Sequence, residues 1–203
     1  ICACLVGSEM CIRDRYRLLS NLSFSLSTDG SINTMNADLA NFVHPTRYSW
    51  LTAFAGKYVN DWLTISASAL ATVINEDVKK GGSAGNHRKL TPYVSAAFKP
   101  FQHEEFRIRF FYKDIFRLAS FNDLYYEEVG NTQLKPEKAK QYNIGLTYNK
   151  NVCPFLPYLS VTVDAYYNKV TDKIIAYPTK NLAVWSMKLS LIHISEPTRH
   201  AQI

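Results

Sequence analysis

Cysteines and histidines near the two ends of the chain are the side chains whose types and spacing first suggest chemistry. Cys2, Cys4 and Cys11 fall in one short stretch, and His193 and His200 lie among the last residues. Thiolates and imidazoles are the usual ligands of zinc, and paired cysteines form disulfides. The spacing therefore raises two alternatives, a metal site and a disulfide, and both require that these ends belong to the native protein.

The two ends are related to each other through their coding DNA. One permitted set of codons for Leu189 to Arg199, read on the opposite strand and shifted by one base, encodes Leu5 to Arg15. Natural peptides have no reason to be encoded in this way, whereas an inverted adapter on both sides of a DNA fragment must be, and the segment resembles a transposase-based sequencing adapter. We therefore expect residues 1–15 and 189–203 to be adapter-derived and exclude them from fold reasoning. Residues 16–188 are the expected native part.

Composition narrows the class of protein. Without the two ends, Cys153 is the single cysteine, so neither a disulfide nor a metal cluster of cysteines remains. The formal net charge of +6 is unchanged, because the charges in the two ends cancel. Lysines and arginines are spread along the chain without forming a run, which argues against nucleic acid as a partner. No stretch approaches the roughly 18 consecutive apolar residues of a membrane-spanning helix.

The other candidates for catalysis or metal binding are isolated. His44, His87 and His103 each stand without a second ligand at metal-binding spacing, so we expect no metal and no cofactor. Ser120 and Asp123 share one loop, but nucleophilic catalysis also needs a histidine at the same point, and no Gly-x-Ser-x-Gly elbow occurs. We therefore expect that the protein is not an enzyme.

Apolar and polar residues alternate along most of the native part. In one segment Tyr142, Ile144 and Leu146 alternate with polar or small residues, and the segment from Leu159 to Asn168 does the same. This period of two predicts strands with one apolar and one polar face. The pattern predicts an all-β fold, an antiparallel meander of about eight strands near residues 16–28, 46–58, 62–75, 89–99, 104–115, 139–150, 158–169 and 178–187.

The predicted connections alternate between short and long. Short turns are expected near residues 59–61, 99–104 and 151–157, and long polar loops near 29–45, 75–89 and 117–138. Short turns on one side and long loops on the other are typical of a transmembrane β-barrel. Aromatic residues near the strand ends fit the interfacial girdles of such a barrel: Tyr48, Trp50, Tyr58, Trp62, Tyr112, Tyr148, Tyr158 and Tyr167.

Two other classes of protein share this sequence pattern. A soluble β-sandwich also alternates and buries one face, although several predicted strands are longer than the usual 5 to 6 residues and suit a tilted bilayer span. A passive porin or structural barrel shares the membrane pattern.

The stretch "FRLASFNDLYYEEVGNTQLKPEKAK", from Phe116 to Lys140, resembles the barrels of TonB-dependent outer-membrane receptors. Those barrels carry an arginine, then Leu-Tyr, then Gly-Asn-x-x-Leu-Lys-Pro-Glu, then a strand with Tyr-x-x-Gly-Leu. The matching residues here are Arg117, Leu124, Tyr125, Gly130, Asn131, Leu134, Lys135, Pro136, Glu137, Tyr142, Gly145 and Leu146. Ala119 stands where the family usually has proline, and Val161 to Ile174 is similar to the strand that follows in the family.

The resemblance implies a fragment of a larger barrel in the outer membrane of a Gram-negative cell. It implies energised uptake of a scarce nutrient such as a ferric siderophore, cobalamin or a glycan. The implied partners are that small ligand, the lipid of the outer membrane, and the TonB energising complex of the inner membrane, acting through a plug domain that this chain does not contain.

Candidate site residues follow from the predicted loop and wall. On the long loop we expect ligand-binding side chains from a polar and aromatic cluster: Asn122, Asp123, Tyr125, Tyr126, Glu127 and Glu128. Arg107 and Arg109 face the predicted lumen, where they either attract an anionic ligand or plug carboxylate or form salt bridges within the wall. A structural role is expected for the motif residues Arg117, Gly130, Asn131, Leu134, Pro136 and Glu137.

Overall fold

The computed structural model describes residues 3–38, 42–79, 81–101, 105–126, 130–150, 159–178, 185–189 and 194–202; of residues 3–9, 177–178, 185 and 194–202 it describes the backbone alone. Strands dominate these ranges, as the alternating pattern predicts. They are β1 (Ala3–Leu19), β2 (Leu22–Ala37), β3 (Pro45–Val59), β4 (Leu63–Val78), β5 (His87–Phe98), β6 (Glu105–Arg117), β7 (Glu137–Lys150), β8 (Leu159–Thr171), β9 (Ile174–Pro178), β10 (Trp185–Leu189) and β11 (Ile194–Gln202). One short helix, α1 (Phe121–Tyr125), interrupts them. Within the described ranges, no helix is both long and apolar enough to cross a bilayer.

Strands β1 to β8 form one antiparallel meander, in which each strand pairs with the next along the chain. Strand β11 pairs with β8 and completes a nine-stranded sheet, while β9 and β10 form a separate hairpin. The edges of the large sheet, β1 and β11, do not pair with each other in the part of the chain that the structure describes. The all-β prediction is therefore confirmed, and the sheet is open, as expected for a fragment of a larger barrel.

Three predicted boundaries are wrong. The predicted strand at 16–28 contains a turn at residues 20–21, because β1 ends at Leu19 and β2 begins at Leu22. Strand β2 then continues to Ala37, so much of the predicted loop at 29–45 is strand. The predicted strand at 178–187 overlaps the ends of β9 and β10, which form a hairpin outside the main sheet.

The two ends of the sheet differ in their connections. At one end, the short-turn end, the connections are residues 20–21, 60–62, 99–104 and 151–158. At the other end, the long-loop end, they are 38–44, 79–86 and 118–136, and the last of these contains α1. Each long-loop connection is longer than the short-turn connection before it, although the predicted long loop at 29–45 is reduced to 38–44 and residues 151–158 are as many as residues 79–86. In transmembrane barrels the end with longer loops faces outwards from the cell.

One face of the sheet presents large apolar side chains to the surroundings. Phe54 is 54% exposed, Ile144 52%, Leu146 40% and Val163 45%, and the register places Leu146 directly opposite Val163. No second layer packs on this face among the described residues, although a soluble sandwich would need one. The apolar face therefore matches a wall that lipid covers.

Aromatic residues border this apolar face at both ends. Near the short-turn end, Trp62 packs edge to face on Phe98 with ring centroids 5.8 Å apart, and Phe106 lies 6.4 Å from Tyr148. Near the long-loop end, Tyr142 lies between Tyr112 and Tyr167, as described below. Tyr48, Trp50 and Tyr58 are exposed on the same face, and Tyr158 lies outside the described residues. Amphipathic rings at two heights are typical of the two interfaces of a bilayer.

Candidate functional site

The only cluster of buried hydrophobic residues in the described ranges lies at the long-loop end, on the polar face of the sheet. We call it the outer cap. It consists of Met35, Ala37, Phe42, Ala119, Phe121, Leu124, Tyr125 and Leu134. Because Met35 comes from β2 and Phe121 from α1, the loop between β6 and β7 folds inwards over the rim of the wall. The cap is therefore the part of the chain that packs like a soluble protein.

A buried ion pair joins two strands beneath the cap. Arg47 of β3 donates from Nε to Oε2 of Glu76 on β4 at 2.8 Å, and its Nη2 lies 2.7 Å from the same oxygen. The Glu76 side chain is fully buried and that of Arg47 is 12% exposed. The Nη2 group makes no well-aligned hydrogen bond. The guanidinium lies 4.7 Å from the centre of the Phe121 ring, so a cation–π contact attaches α1 to this pair.

Tyr125 attaches the loop to the same carboxylate. Its hydroxyl donates to Oε1 of Glu76 and accepts a hydrogen bond from the backbone N–H of Ala84 at 3.1 Å. The residue is 6% exposed. Burial, and then the hydrogen bond to Glu76, raise the pKa of Tyr125 to about 12. Tyr125 therefore ties its own loop to strand β4 and to the connection at residues 79–86, and is an anchor of the cap.

The short helix has a complete N-terminal cap. The Ser120 hydroxyl accepts from the Asp123 backbone N–H at 3.2 Å, and the Asp123 carboxylate accepts from the Ser120 N–H at 2.9 Å. This is a capping box, which satisfies two backbone donors that a helix start otherwise leaves free. Asn122 and Tyr126 are exposed, Tyr126 by 46%. Glu127 and Glu128 lie outside the described residues.

The family-like motif after the helix makes local structural contacts. Asn131 accepts from the Gln133 N–H at 3.0 Å through Oδ1 and donates from Nδ2 to the Met187 carbonyl at 3.2 Å. A Cβ at Gly130 would lie 2.7 Å from three backbone atoms, which explains the glycine. Leu134 is buried in the cap, and Pro136 leads into β7.

Glu137 and Arg117 meet across the base of the loop. Arg117 Nη1 lies 3.5 Å from Glu137 Oε2, and the same oxygen accepts from the Ile174 N–H at 3.5 Å. The pair joins the last residue of β6 to the first residue of β7. It therefore closes the loop at its stem.

The two arginines on the polar face of β6 have different surroundings. Arg109 Nη2 lies 3.2 Å from Asp164 Oδ1, so its charge is paired within the wall. The register places Gly145 of β7 between them, where a Cβ would collide with the Asp164 carboxylate. Arg107 has no carboxylate within 4.0 Å in the described part of the chain and borders a polar recess with Lys99 and Thr147. Arg107 is thus the unpaired cation of the two.

Within the part of the chain that the structure describes, the cysteines and histidines do not gather into a site. Cys4 and Cys11 lie on the same strand, seven positions apart, which separates their backbones by about 23 Å at the usual strand rise. His44 Nδ1 lies 3.3 Å from Asn36 Oδ1, and His87 is beside Phe116. His103, Cys2, Cys153 and His193 lie outside the described residues. Among the residues that the structure does describe, no three metal-binding side chains cluster.

Sequence reasoning missed the partners of the loop. Arg47 and Glu76 are 29 positions apart, and nothing in their local sequence indicates that they pair. The helix had a detectable signal, because Ser120 and Asp123 have the spacing of a capping box. The structure brings Asn122, Asp123, Tyr125 and Tyr126 together on one loop and separates them from Arg107 and Arg109, which lie on the wall.

Comparison with known proteins gives one consistent family. The family described as TonB dependent receptor-like, beta-barrel, matches residues 13–185. The vitamin B12 transporter BtuB of Vibrio vulnificus is 27% identical over 222 residues, covering 90% of this chain and 34% of its own length.

Solved structures share the fold at low identity. The FrpB iron transporter from Neisseria meningitidis has a TM-score of 0.65 at 10% identity, over 91% of this chain and 31% of its own. The Serratia marcescens hemophore receptor HasR, solved with its hemophore HasA and heme, has a TM-score of 0.67 at 15% identity, over 96% of this chain and 38% of its own. The chain spans about a third of the length of these relatives.

Proposed function

Because this chain belongs to the TonB-dependent receptor β-barrel family, we propose that it is part of the wall and outer loops of an outer-membrane receptor that takes up a scarce nutrient. The observation that carries the proposal is a wall with a lipid-matching apolar face, joined at its long-loop end to a cap that is anchored on the polar face. The native part of the chain, in this proposal, is residues 16–188.

In this proposal the outer loops bind the ligand and the inner-membrane TonB complex supplies the energy through a plug domain. The nutrient class is a ferric siderophore, cobalamin or a glycan. Cobalamin is the first to test, because a relative that covers most of this chain is a vitamin B12 transporter. We propose no enzymatic step, in keeping with relatives that are named as transporters or receptors.

The exposed side chains of the loop are the proposed ligand contacts. Tyr125 and Asp123 are engaged in holding the loop, so the contacts fall to Asn122 and Tyr126, which face outwards, and to Glu127 and Glu128 beside them. An amide and a phenol offer donors, acceptors and an aromatic surface on a support that buried residues hold in place. Tyr125 is then a positioning residue for this surface.

Arg107 is proposed to meet the plug. It is an exposed cation on the polar face, beside Lys99 and opposite Thr147 in the neighbouring strand. In this proposal a carboxylate on an element inside the barrel pairs with Arg107. Its neighbour Arg109 is already paired with Asp164.

Uptake by the complete receptor tests the proposal. Cells that express it are given labelled cobalamin, a ferric siderophore or a glycan oligomer, with the energising complex intact or deleted. Saturable uptake of one ligand that disappears with the complex supports the receptor. Uptake that rises in proportion to concentration and ignores the deletion would instead establish a passive porin.

Loop variants then test the contacts. Asn122→Ala with Tyr126→Ala is expected to weaken ligand binding by roughly 10-fold or more, since exposed aromatic and polar contacts on a rigid support concentrate binding energy. Thr132→Ala, an exposed change on the same loop, is the control. Equal affinity in both variants would place the ligand elsewhere.

A further inference from the structure

A row of three tyrosines crosses the apolar face near the long-loop end. The register aligns Tyr112 of β6, Tyr142 of β7 and Tyr167 of β8. The ring centroids are 5.0 Å apart for the first pair and 6.2 Å for the second. Towards the short-turn end the next rows are apolar, with Ile144 and Leu146 on β7. The tyrosines therefore mark the height at which the hydrocarbon layer ends.

Charged residues occupy the two rows beyond the tyrosines on the same face. The first row is Asp114, Lys140 and Lys169, and the second is Phe116, Lys138 and Thr171. We call Lys138, Lys140 and Lys169 the outer lysine patch. All three side chains are exposed, and none has a carboxylate within 4.0 Å in the part of the chain that the structure describes.

The arrangement places like charges against each other. Lys140 and Lys169 are direct cross-strand partners, and like charges in that position destabilise a sheet. Lys138 follows on the same face of β7, about 7 Å from Lys140 along the strand. Three lysines against Asp114 leave a net charge of +2 on a small area. An anion held between the ammonium groups would relieve this repulsion.

We propose that the outer lysine patch binds the phosphate groups of a lipid in the outer leaflet. The phosphate would lie between Lys140 and Lys169, with Lys138 as a further donor. Its acyl chains would run past the tyrosine row along the apolar face at Ile144 and Leu146. The height of the patch, immediately outside an aromatic girdle, matches the headgroup layer. This inference rests on the orientation of the wall and is independent of which nutrient is transported.

The first experiment requires no variant. The complete receptor, purified in a neutral detergent, is titrated with a bisphosphorylated lipid A, and bound lipid is counted by native mass spectrometry. The same lipid with both phosphates removed, and inorganic phosphate as a competitor, complete the set. We expect one tightly bound phosphorylated lipid and weak binding of the dephosphorylated form. Equal binding of the two lipids would overturn the proposal, and so would displacement by inorganic phosphate at the lipid's own concentration.

Variants locate the site. Lys140→Gln with Lys169→Gln is expected to weaken binding of the phosphorylated lipid by roughly 10- to 30-fold, from the usual contribution of each lysine near an anionic surface. Lys150→Gln is the matched control, because Lys150 is an exposed lysine of the same strand at the short-turn end. If Lys150→Gln weakened binding as much, the attraction would be non-specific and the patch would not be the site.

Thermal stability gives a second test, in which the variant and the unchanged protein should change order when lipid is added. Without lipid, the Lys140→Gln and Lys169→Gln variant is expected to be at least as stable to heat as the unchanged protein, because the cross-strand repulsion is gone. With saturating phosphorylated lipid the order should reverse, because only the unchanged protein gains the binding energy. The same order of stability with and without lipid would contradict the proposal, whatever the outcome of the uptake experiments.

Discussion

Large apolar side chains are exposed on the wall of this chain and buried in its outer cap. On the wall, Ile144 and Leu146 are exposed, and polar side chains face inwards. In the cap, Phe121 and Leu124 are buried, and the exposed residues are polar or amphipathic. The difference follows from what surrounds each region, which is lipid for the wall and water for the loops. Changes of one kind should therefore have different effects in the two regions.

The largest expected effect is the loss of the buried carboxylate under the cap. Glu76→Ala leaves Arg47 buried without its counter-ion and removes the acceptor of the Tyr125 hydroxyl. Breaking a buried pair in this way costs about 3–5 kcal/mol. We expect the free energy of unfolding of the complete receptor to fall by that amount, and protease added to intact cells to cleave the loop at residues 118–136.

The neighbouring residue is the control for that change. Asp77 is an exposed carboxylate one position further along β4. Asp77→Ala should change the unfolding free energy by less than about 0.5 kcal/mol, as is usual for surface positions. The protease cleavage pattern should be that of the unchanged protein. If the two variants behaved alike, the cap would not depend on the ion pair.

On the wall, the largest loss of stability is expected from a charged residue on the lipid-facing side. Leu146→Arg puts a cation on the apolar face, between the two aromatic girdles, and should cost about 2–4 kcal/mol of stability in vesicles. Thr147→Arg, the adjacent residue on the polar face, should insert with a loss of only about 0.2–1 kcal/mol, since a hydrated lumen accepts charge and the new cation only faces Arg107 across the strands. The check is the extent of folding into lipid vesicles, and a reversal of the two results would mean that the faces are assigned wrongly.

These two regions also differ in how far sequence predicts them. The period-two pattern is local, so it identified the wall strands and the faces of Leu146 and Arg109. It misplaced the strand at 16–28, because the turn at residues 20–21 contains neither glycine nor proline. The cap depends on contacts between distant residues, such as Glu76 with Tyr125, which leave no periodic signal. The hydrogen bonds that hold Tyr125 in the cap could therefore not be predicted from the sequence.

Removing the anchor hydroxyl is expected to have an intermediate effect. Tyr125→Phe keeps the ring in the cap but removes the hydroxyl that donates to Oε1 of Glu76 and accepts from the Ala84 N–H. An unsatisfied buried group costs about 1–3 kcal/mol. Tyr126→Phe, at an exposed position, is the control and should change unfolding by less than about 0.5 kcal/mol. Unfolding curves in denaturant distinguish the two.

The same hydroxyl makes the cap sensitive to alkali. The pKa of Tyr125 is raised from 10.0 to about 12, so the folded state keeps a proton that the unfolded state loses. Its contribution to stability is complete below pH 10 and is lost as the pH rises towards 12. Protease cleavage of the loop should increase over that interval, and Tyr125→Phe should abolish this increase. An unchanged pH profile in the variant would assign the transition to another group.

The smallest effect is expected from the ion pair on the wall. Arg109 and Asp164 are 44% and 34% exposed, so water screens the pair, and an exposed pair contributes about 0–1 kcal/mol. Asp164→Asn should therefore change the unfolding free energy by less than about 1 kcal/mol, far below the loss expected for Glu76→Ala. Both carboxylates lie on the polar face of the sheet, but Glu76 is fully buried and also accepts from the Tyr125 hydroxyl, whereas Asp164 is 34% exposed. A loss as large as that of Glu76→Ala would mean that the lumen around Gly145 is dry, because only desolvation makes a pair of this geometry costly to break.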